Sequence, residues 1–323
     1  NYESAWRLES KLLNYDADLI IADEGHKLKE NRSNQSKGMH HLGDRARYKL
    51  LLTGTVITNK EIDVYSQYRY LEPRIFGDSF FRFRNQFSEM GGYGNHTPIF
   101  KKSLLDTFLK KMHSIAYRVT KEECLDLPEK LPDEIMEMEM THPEAKKIYK
   151  DIAKTSASLD IDFVAENPLV RMTKLRQLAS GFFIDTVAGE IHDFPNEKEK
   201  WLKEFLESYE KKVVIFAEFK HSITNICELL DKMKIKHVVL DGEQKDKSIW
   251  RHFQEDESIR VIVCQYQTAS AGVDLFASSV CIFYEPTLRS NILLQAESRI
   301  HRNGQKIPCS YIHFITIVLL SNS

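Results

Sequence analysis

The sequence predicts an α/β protein with two parallel-sheet lobes, the first of them incomplete, and a long helical region between the lobes. Short apolar runs rich in β-branched residues recur between positions 213 and 284, and stretches with helical spacing separate them. Another apolar run, Leu19–Ala22, has only 18 residues before it and ends in two carboxylates. Strands and helices that alternate in this way form right-handed βαβ units and a parallel sheet.

The second lobe is predicted from residue 196 to the end of the chain. Its strands are predicted where the apolar runs lie, at residues 213–216, 238–240, 261–263 and 280–284. Helices are predicted between them, for example at residues 221–234 and 245–255, because apolar side chains there recur every three or four positions. The central part of this lobe is therefore predicted to be a complete parallel sheet.

The first lobe is predicted at residues 1–61, and helical protrusions with a linker at residues 62–195. Helical apolar spacing occurs at residues 62–71, 104–112, 145–152 and 169–178. A short strand is predicted at residues 135–140, where Glu and Met alternate, and we expect it to pack with these helices. We interpret these helices and this strand first as elements that pack a core. Their functional interpretation is that they hold duplex DNA and form a stiff hinge region.

Composition limits the function classes. The 323 residues suffice for two domains, and the chain has no run of 18 apolar residues that would span a membrane. Its five cysteines are scattered and His40 and His41 have no partners at metal-ligand spacing, so we expect no zinc site. A formal net charge of −2 gives no global indication of nucleic acid.

Charge is nevertheless uneven along the chain. Residues 69–121 contain ten Lys and Arg against four acids, and residues 122–166 contain thirteen acids against five lysines. The basic stretch has interleaved aromatic residues and suits a phosphate backbone; its central members are Arg82, Phe83, Arg84, Lys101, Lys102, Lys110 and Lys111. Solvated helical faces are the alternative, favoured for the lysine pairs alone. The acidic stretch is interpreted as a solvated linker rather than a DNA mimic.

Two short segments about 270 residues apart carry the candidate chemistry. Asp23 and Glu24 end the first apolar run, and a carboxylate pair at a strand end can hold Mg²⁺ and activate water. Arg299 and Arg302 lie on one face if their segment is helical, and such arginines can stabilise charge on a γ-phosphate. Taken singly, the segments would be a solvated turn and surface charge. Their order and the motifs between them favour a two-lobed motor ATPase.

Five segments together resemble the superfamily-two helicase-like ATPases and, among these, the Swi/Snf family of double-stranded DNA translocases. In chain order they resemble motifs II, III, IV, V and VI of that family and occupy residues 23–28, 50–55, 213–219, 268–275 and 295–305. The ending Gly304-Gln305 is typical of the Swi/Snf branch. The resemblance covers nearly the whole chain and implies two RecA-like lobes with helical insertions.

The resemblance also implies roles for the residues near the first apolar run. Asp23 would hold Mg²⁺ through water, and Glu24 would orient or deprotonate the water that attacks ATP. His26 would sense the γ-phosphate and couple it to motif III, whose members are Thr53, Gly54 and Thr55. ATP and Mg²⁺ are thus the implied cofactors.

In the second lobe, one or both of Arg299 and Arg302 would act as arginine fingers, with Gln295 hydrogen-bonding nearby. The implied nucleic-acid contacts come from motif V and the start of the helix after motif IV, namely Thr268, Gly272, Asp274 and Lys220. The implied partner is double-stranded DNA. Lobe closure on ATP and opening after hydrolysis would move the protein along one strand.

Several features depart from the family pattern. No Gly-x-x-x-x-Gly-Lys-Ser/Thr phosphate loop occurs, so we expect a fragment whose parent, or a partner chain, supplies that loop. We expect this chain alone to hydrolyse ATP very poorly or not at all. Val56 stands where motif III usually has proline, which predicts a more flexible loop rather than the alternative of weakened coupling. The apolar tail from Ile315 onward does not resemble the segment that normally follows its strand.

Two other functions stay open from the sequence alone. One is an RNA-directed helicase of the same superfamily, which Gly304-Gln305 and the long middle region disfavour. The other is a non-catalytic DNA-binding or scaffold protein, which the retained Glu24, Arg299 and Arg302 disfavour. The expected location is the cytoplasm of a bacterium or a phage-infected cell, or the nucleus if the source is eukaryotic.

Overall fold

A computed structural model describes residues 1–57, 60–91, 94, 97–158, 163–165, 167–185, 189–246, 248–269 and 272–318. Backbone contacts divide the chain into two compact units, Asn1–Val119 and Thr120–Ser323. The domain limits drawn from the motifs, 1–61, 62–195 and 196–323, stay a prediction. Among the helices of the described residues, none is long and apolar enough to cross a membrane.

The first unit consists of short helices, two small sheets and single-turn 3₁₀ helices. Its elements in order are α1 (Tyr2–Arg7), α2 (Glu9–Leu13), β1 (Leu19–Ala22), a 3₁₀ turn (Gly25–Leu28), α3 (Asn34–Arg45), β2 (Tyr48–Leu51), a 3₁₀ turn (Glu61–Asp63), α4 (Val64–Leu71), α5 (Pro73–Phe76), α6 (Phe80–Phe87), β3 (Ser88–Gly91), β4 (Thr97–Phe100), a 3₁₀ turn (Lys102–Leu104) and α7 (Leu105–His113). The helices predicted at 62–71 and 104–112 are confirmed as α4 and α7.

Strands β1 and β2 form a two-stranded parallel sheet that places the carboxylate pair. Leu19 lies opposite Tyr48 and Ala22 opposite Leu51. One face of the sheet packs on a small core that includes Leu28, Met39, Leu42 and Tyr70. A separate core lies among α4 to α7, where aromatic rings such as Phe76, Phe83 and Phe108 are buried against one another. The middle helices are thus packing elements in the first instance, as predicted.

The second unit contains the large sheet. Its elements are α8 (Lys121–Cys124), β5 (Glu134–Glu139), α9 (Pro143–Thr155), β6 (Ala157–Ser158), β7 (Phe163–Val164), α10 (Pro168–Ala179), β8 (Phe182–Ile184), β9 (Ile191–Asp193), α11 (Glu197–Ser208), β10 (Val213–Ala217), α12 (Lys220–Lys232), β11 (His237–Leu240), α13 (Ile249–Glu255), β12 (Val261–Gln265), α14 (Tyr266–Ala269), β13 (Val280–Phe283), α15 (Ser290–Glu297) and β14 (Ser310–Ile317).

Six strands of this unit pair in the order β11-β12-β10-β13-β14-β5, and every pair is parallel. Strand β10 is buried along its whole length, as expected for an apolar, β-branched run inside a parallel sheet. Helix α12 turns Ile223, Ile226 and Leu230 towards one face, where they join the core. The α/β fold class and the four predicted strands of this region are confirmed.

Strand β5 lies in an unexpected place. The sequence predicts a strand at 135–140 that packs with the middle helices, whereas β5 pairs with β14 at the edge of the six-stranded sheet. Side chains of Met136 and Met138 pack into the core below that sheet. The apolar tail that begins at Ile315 forms the end of β14, which stops at Ile317. Residues 319–323 of this tail lie outside the described residues.

Candidate active site

The carboxylate pair lies at the carboxyl end of β1, where the chain turns sharply. Glu24 adopts the left-handed conformation, with φ 53° and ψ 48°. Gly25 follows, and its N–H donates to the carbonyl of Leu52, 2.8 Å away. A Cβ at position 25 would lie 2.2 Å from the Leu51 side chain, so a larger residue there would have to displace Leu51. The local sequence thus fixes the direction in which the two carboxylates leave the strand.

Asp23 is exposed and its side chain is suited to a hard cation. Its Oδ1 accepts the Glu24 N–H at 2.9 Å, and its backbone carbonyl accepts the hydroxyl of Tyr2. Burial, with a smaller contribution from the two carboxylates, raises the pKa of Tyr2 to about 12. Mg²⁺ prefers oxygen ligands and usually keeps several waters, so an accessible carboxylate fits the predicted ion.

His26 joins the carboxylate segment to the loop after β2. Its Nδ1 lies 3.2 Å from Glu24 Oε2 and 3.4 Å from Thr53 Oγ1. Burial lowers the pKa of His26, an effect that the Glu24 carboxylate partly offsets. A neutral imidazole can donate to the carboxylate only from Nδ1, so this contact selects the Nδ1–H tautomer. The structure therefore brings together Glu24, His26 and Thr53, and the coupling role of His26 stays a prediction.

The loop after β2 is tied within itself. Thr53 Oγ1 accepts the Thr55 N–H and donates to the Thr55 carbonyl, both at 3.2 Å. Gly54 between them has open space where a Cβ would stand. The sequence predicts a flexible loop at Val56, but the Val56 carbonyl accepts a 2.8 Å hydrogen bond from the buried side chain of Gln67. That hydrogen bond restrains the loop without a proline.

In the second unit, Arg299 and Arg302 are adjacent in space but not on a helix. Helix α15 ends at Glu297, and the helical arrangement considered from the sequence is wrong for the turns that follow. The Nη1 atoms of both arginines donate to the carbonyl of Val273, at 3.4 Å from Arg299 and 3.1 Å from Arg302. Arg302 also forms an ion pair with Asp274. The two guanidinium groups thus converge on one carbonyl.

Five further residues in or next to motifs IV to VI have roles predicted from the sequence. The predicted contact of Asp274 with DNA stays a prediction, since its carboxylate pairs with Arg302 here. Gly272 has φ +72°, a conformation that favours glycine. Thr268 lies in the short helix α14, whereas Ser270 and Ala271 lie outside the described residues. Gln295 is half-buried in α15, and the exposed Lys220 pairs with Glu243.

A model of the SNF2-related domain matches residues 1–180, more than half of the chain, and one of the helicase conserved C-terminal domain matches residues 197–304. The chain belongs to the SNF2-related family. An uncharacterized ATP-dependent helicase of Mycoplasma genitalium is 27% identical to it, over 88% of this chain and 27% of the relative. The DNA repair and recombination protein RDH54 of Saccharomyces cerevisiae is 27% identical, over 93% of this chain and 34% of its own length.

Among solved structures, the SWI2/SNF2 ATPase core of Sulfolobus solfataricus in complex with dsDNA is 22% identical, with a TM-score of 0.45. That match covers 98% of this chain and 67% of the other. The SNF2-related chain spans only about a quarter to a third of the length of the two curated relatives named above.

Sequence reasoning did not foresee how the Gly304-Gln305 ending works in this SNF2-related chain. Gly304 has φ +104°, and a Cβ there would lie 3.1 Å from the Phe276 ring. The buried Gln305 donates from Nε2 to the carbonyls of Ser278 at 2.8 Å and Ile300 at 3.1 Å. Its Oε1 accepts the N–H groups of the two residues that follow. The ending therefore anchors the loop of residues 298–309 between α15 and β14, named here the arginine loop, a role that only the three-dimensional contacts reveal.

The basic stretch of the first unit divides into structural and available cations. Lys101 donates to the carbonyls at the end of α6, and Lys111 donates to the Ile75 carbonyl in α5. These two lysines satisfy backbone groups at helix ends. Arg82, Lys102 and Lys110 are exposed. Only the exposed cations are suited to a phosphate backbone, which the linear charge count could not distinguish.

Proposed function

We propose that this SNF2-related chain carries the water-activating and arginine-finger residues of an ATP-driven motor that moves along double-stranded DNA. The contact of His26 with both Glu24 and Thr53 is the observation that carries the proposal. It joins the candidate catalytic carboxylate to the loop that follows β2, the neighbouring strand of the same sheet. A buried, neutral histidine in that position can transmit a movement of the Glu24 carboxylate to the loop of residues 53–55.

In the proposed reaction, water attacks the γ-phosphorus of ATP and the bond from that phosphorus to the β–γ bridging oxygen breaks. Glu24 orients the water and accepts its proton. Asp23 would hold Mg²⁺, which supplies positive charge to the phosphate oxygens when bound. Arg299 and Arg302 would exchange the Val273 carbonyl for γ-phosphate oxygens, because a charged acceptor binds a guanidinium more strongly than a neutral one.

Double-stranded DNA is the proposed track. The yeast relative is named for DNA repair and recombination, and the exposed Arg82, Lys102 and Lys110 offer positive charge to a backbone. We expect the 323-residue chain to bind a 30-base-pair duplex with an affinity that falls steeply between 50 and 200 mM salt, measured by fluorescence anisotropy. Replacing the three cations by alanine should reduce the salt slope by roughly one for each phosphate that is no longer neutralised. Salt-independent binding would contradict a backbone contact.

The deciding experiment measures ATP hydrolysis. The reading frame upstream of the codon for Asn1 is sequenced, and the polypeptide it encodes is assayed with duplex DNA, single-stranded DNA and RNA. We expect stimulation by duplex DNA and a loss of roughly a hundredfold or more in Glu24→Gln. Exposed Glu3→Gln in α1 is the matched control and should keep wild-type turnover. Stimulation by RNA alone would favour the RNA-directed helicase, and no hydrolysis would favour a non-catalytic scaffold.

The same assay tests the 323-residue chain by itself. We expect very slow hydrolysis or none, since the chain has no phosphate-loop sequence to hold the β- and γ-phosphates. DNA-stimulated turnover by this chain that disappears in Glu24→Gln would show the expectation to be wrong.

A further inference from the structure

The beginning of the second unit contacts the loop that carries the arginines. Residues 121–133, named here the anchoring segment, approach His301 from two directions. Lys121 Nζ donates to the His301 carbonyl at 3.0 Å, and His301 Nε2 donates to the Pro128 carbonyl at 2.8 Å. His301 lies between Arg299 and Arg302, so these two bonds hold the middle of the arginine loop.

Lys130 of the anchoring segment holds the beginning of the same loop. Its Nζ donates to Glu297 Oε2 at 2.9 Å and lies 3.4 Å from Asp133 Oδ1. It also lies 4.7 Å from the centre of the Tyr311 ring, and the Tyr311 hydroxyl donates to the Glu297 carbonyl at 2.8 Å. Glu297 is the last residue of α15, two positions before Arg299. Its side chain is only 15% exposed, which limits its freedom.

The backbone of the anchoring segment holds the far end of the loop. The Cys309 N–H donates to the Glu129 carbonyl at 3.0 Å, and the Leu131 N–H donates to the Cys309 carbonyl at 2.9 Å. This parallel bridge comes directly before β14. The arginine loop is thus fastened at residues 297, 301 and 309 by one continuous piece of chain.

We propose that Lys130 and Lys121 are positioning residues for ATP hydrolysis, which hold the loop so that the Arg299 and Arg302 guanidinium groups keep their places. The proposal rests on the proposed function above. Guanidinium groups that stabilise transition-state charge must be held within about 0.5 Å of their productive positions. The hydrogen bonds of Arg299, Arg302 and Gln305 hold the loop from within, and the anchoring segment adds contacts from outside it at residues 297, 301 and 309.

The test compares Lys130→Met with Lys146→Met in the polypeptide encoded by the full reading frame. Lys146 is the matched control, because it forms a similar 2.8 Å ion pair with Glu139 in the same unit but belongs to α9 rather than to the anchoring segment. We expect Lys130→Met to lower kcat about tenfold while KM for ATP stays within about twofold, because the arginines act on the transition state. Lys130→Arg should recover most of the loss, and Lys121→Met should resemble Lys130→Met.

Equal changes in kcat for the two methionine variants would overturn the proposal, as would a raised KM with unchanged kcat. A wild-type polypeptide that hydrolyses no ATP would refute the proposed function, and hydrogen exchange of the 323-residue chain then decides the positioning claim. We expect the amides of residues 298–305 to exchange at least about fivefold faster in Lys130→Met than in Lys146→Met or the wild type. Identical exchange in all three proteins would overturn the claim.

Discussion

His26 is the residue on which the first unit's site depends. Burial lowers its pKa, and the resulting neutral ring has one N–H to give, which faces both Glu24 and Thr53. The Thr53 hydroxyl is held in turn by two hydrogen bonds, one to the backbone carbonyl of Thr55 and one from its N–H. The orientation of the ring therefore depends on a hydroxyl group outside the carboxylate segment.

Replacing Thr53 by valine removes that hydroxyl and tests its role. Thr53→Val keeps the shape of the side chain but leaves the Thr55 N–H without its acceptor. We expect the free energy of unfolding to fall by about 1 kcal/mol, the usual worth of a hydrogen bond in a partly buried site. Urea unfolding of the chain measures the change. Thr107→Val in α7, where the side chain is exposed, is the control and should change stability by less than about 0.5 kcal/mol. Equal losses would contradict a specific role for the hydroxyl.

Two buried histidines make the stability of the first unit depend on pH. Burial lowers the pKa of His40 as it does that of His26, although the Ser66 carbonyl that contacts His40 Nε2 at 2.9 Å opposes the shift. The unfolded chain therefore binds protons more readily than the folded one. Their contribution to stability is present above the ordinary histidine pKa of about 6.5 and is lost as the pH falls below it.

We expect the urea midpoint to be lower at pH 5.5 than at pH 7.5. His40→Gln should reduce this dependence, because glutamine does not titrate. Exposed His113→Gln at the end of α7 should leave it unchanged. The same pH slope in all three proteins would show that the His40 ring is not responsible.

At the scale of the site, the sequence predicts which residues share a motif but not how distant motifs meet. Asp23, Glu24 and the loop at Thr53 could be predicted together because they follow neighbouring parallel strands, whose carboxyl ends share one edge. Tyr2 could not, since its contact with Asp23 depends on how α1 packs. The spacing of the arginines fits a helix, whereas the positive φ at Gly304 and the hydrogen bonds of Gln305 form turns.

At the scale of elements, β5 shows what alternation can and cannot predict. Alternating Glu and Met at 135–140 indicates a strand with one buried face, and β5 has that face. The pattern contains no information on the partner strand, because parallel pairing joins segments far apart in sequence. Residues Ile312 to Ile317 of β14 pair with Glu134 to Glu139 across more than 170 positions. The glutamates on the open side also discourage pairing with another chain.

The position of β5 leads to a prediction about two residues of one strand. Met138 is 7% exposed and belongs to the core that contains Trp201, whereas Ile135 is 60% exposed. We expect Met138→Ala to lower the free energy of unfolding by about 2–3 kcal/mol and Ile135→Ala to lower it by less than about 0.5 kcal/mol. Urea unfolding followed by far-ultraviolet circular dichroism makes the measurement. Similar costs for the two variants would mean that β5 does not seal this core.

At the scale of the whole molecule, one surface of the first unit is unusually apolar. Leu19 and Ile21 of β1, with Tyr48 and Leu50 of β2, are 46–55% exposed on one face of their two-stranded sheet. Parallel sheets are normally covered on both faces, and contiguous exposed apolar patches promote association. We therefore expect this face to govern how the chain associates in solution.

We predict that the purified 323-residue chain binds a hydrophobic dye and associates reversibly as its concentration rises. The double variant Ile21→Lys/Leu50→Lys should bind less dye and sediment as a monomer over a hundredfold concentration range, because only the apolar pair Leu19 and Tyr48 remains and two charges lie beside it. Ile99→Lys on β4, where the side chain is 48% exposed, is the matched control and should associate like the wild type. Sedimentation velocity measures the association. A wild-type chain that stays monomeric and binds no dye would show that this apolar face does not drive association.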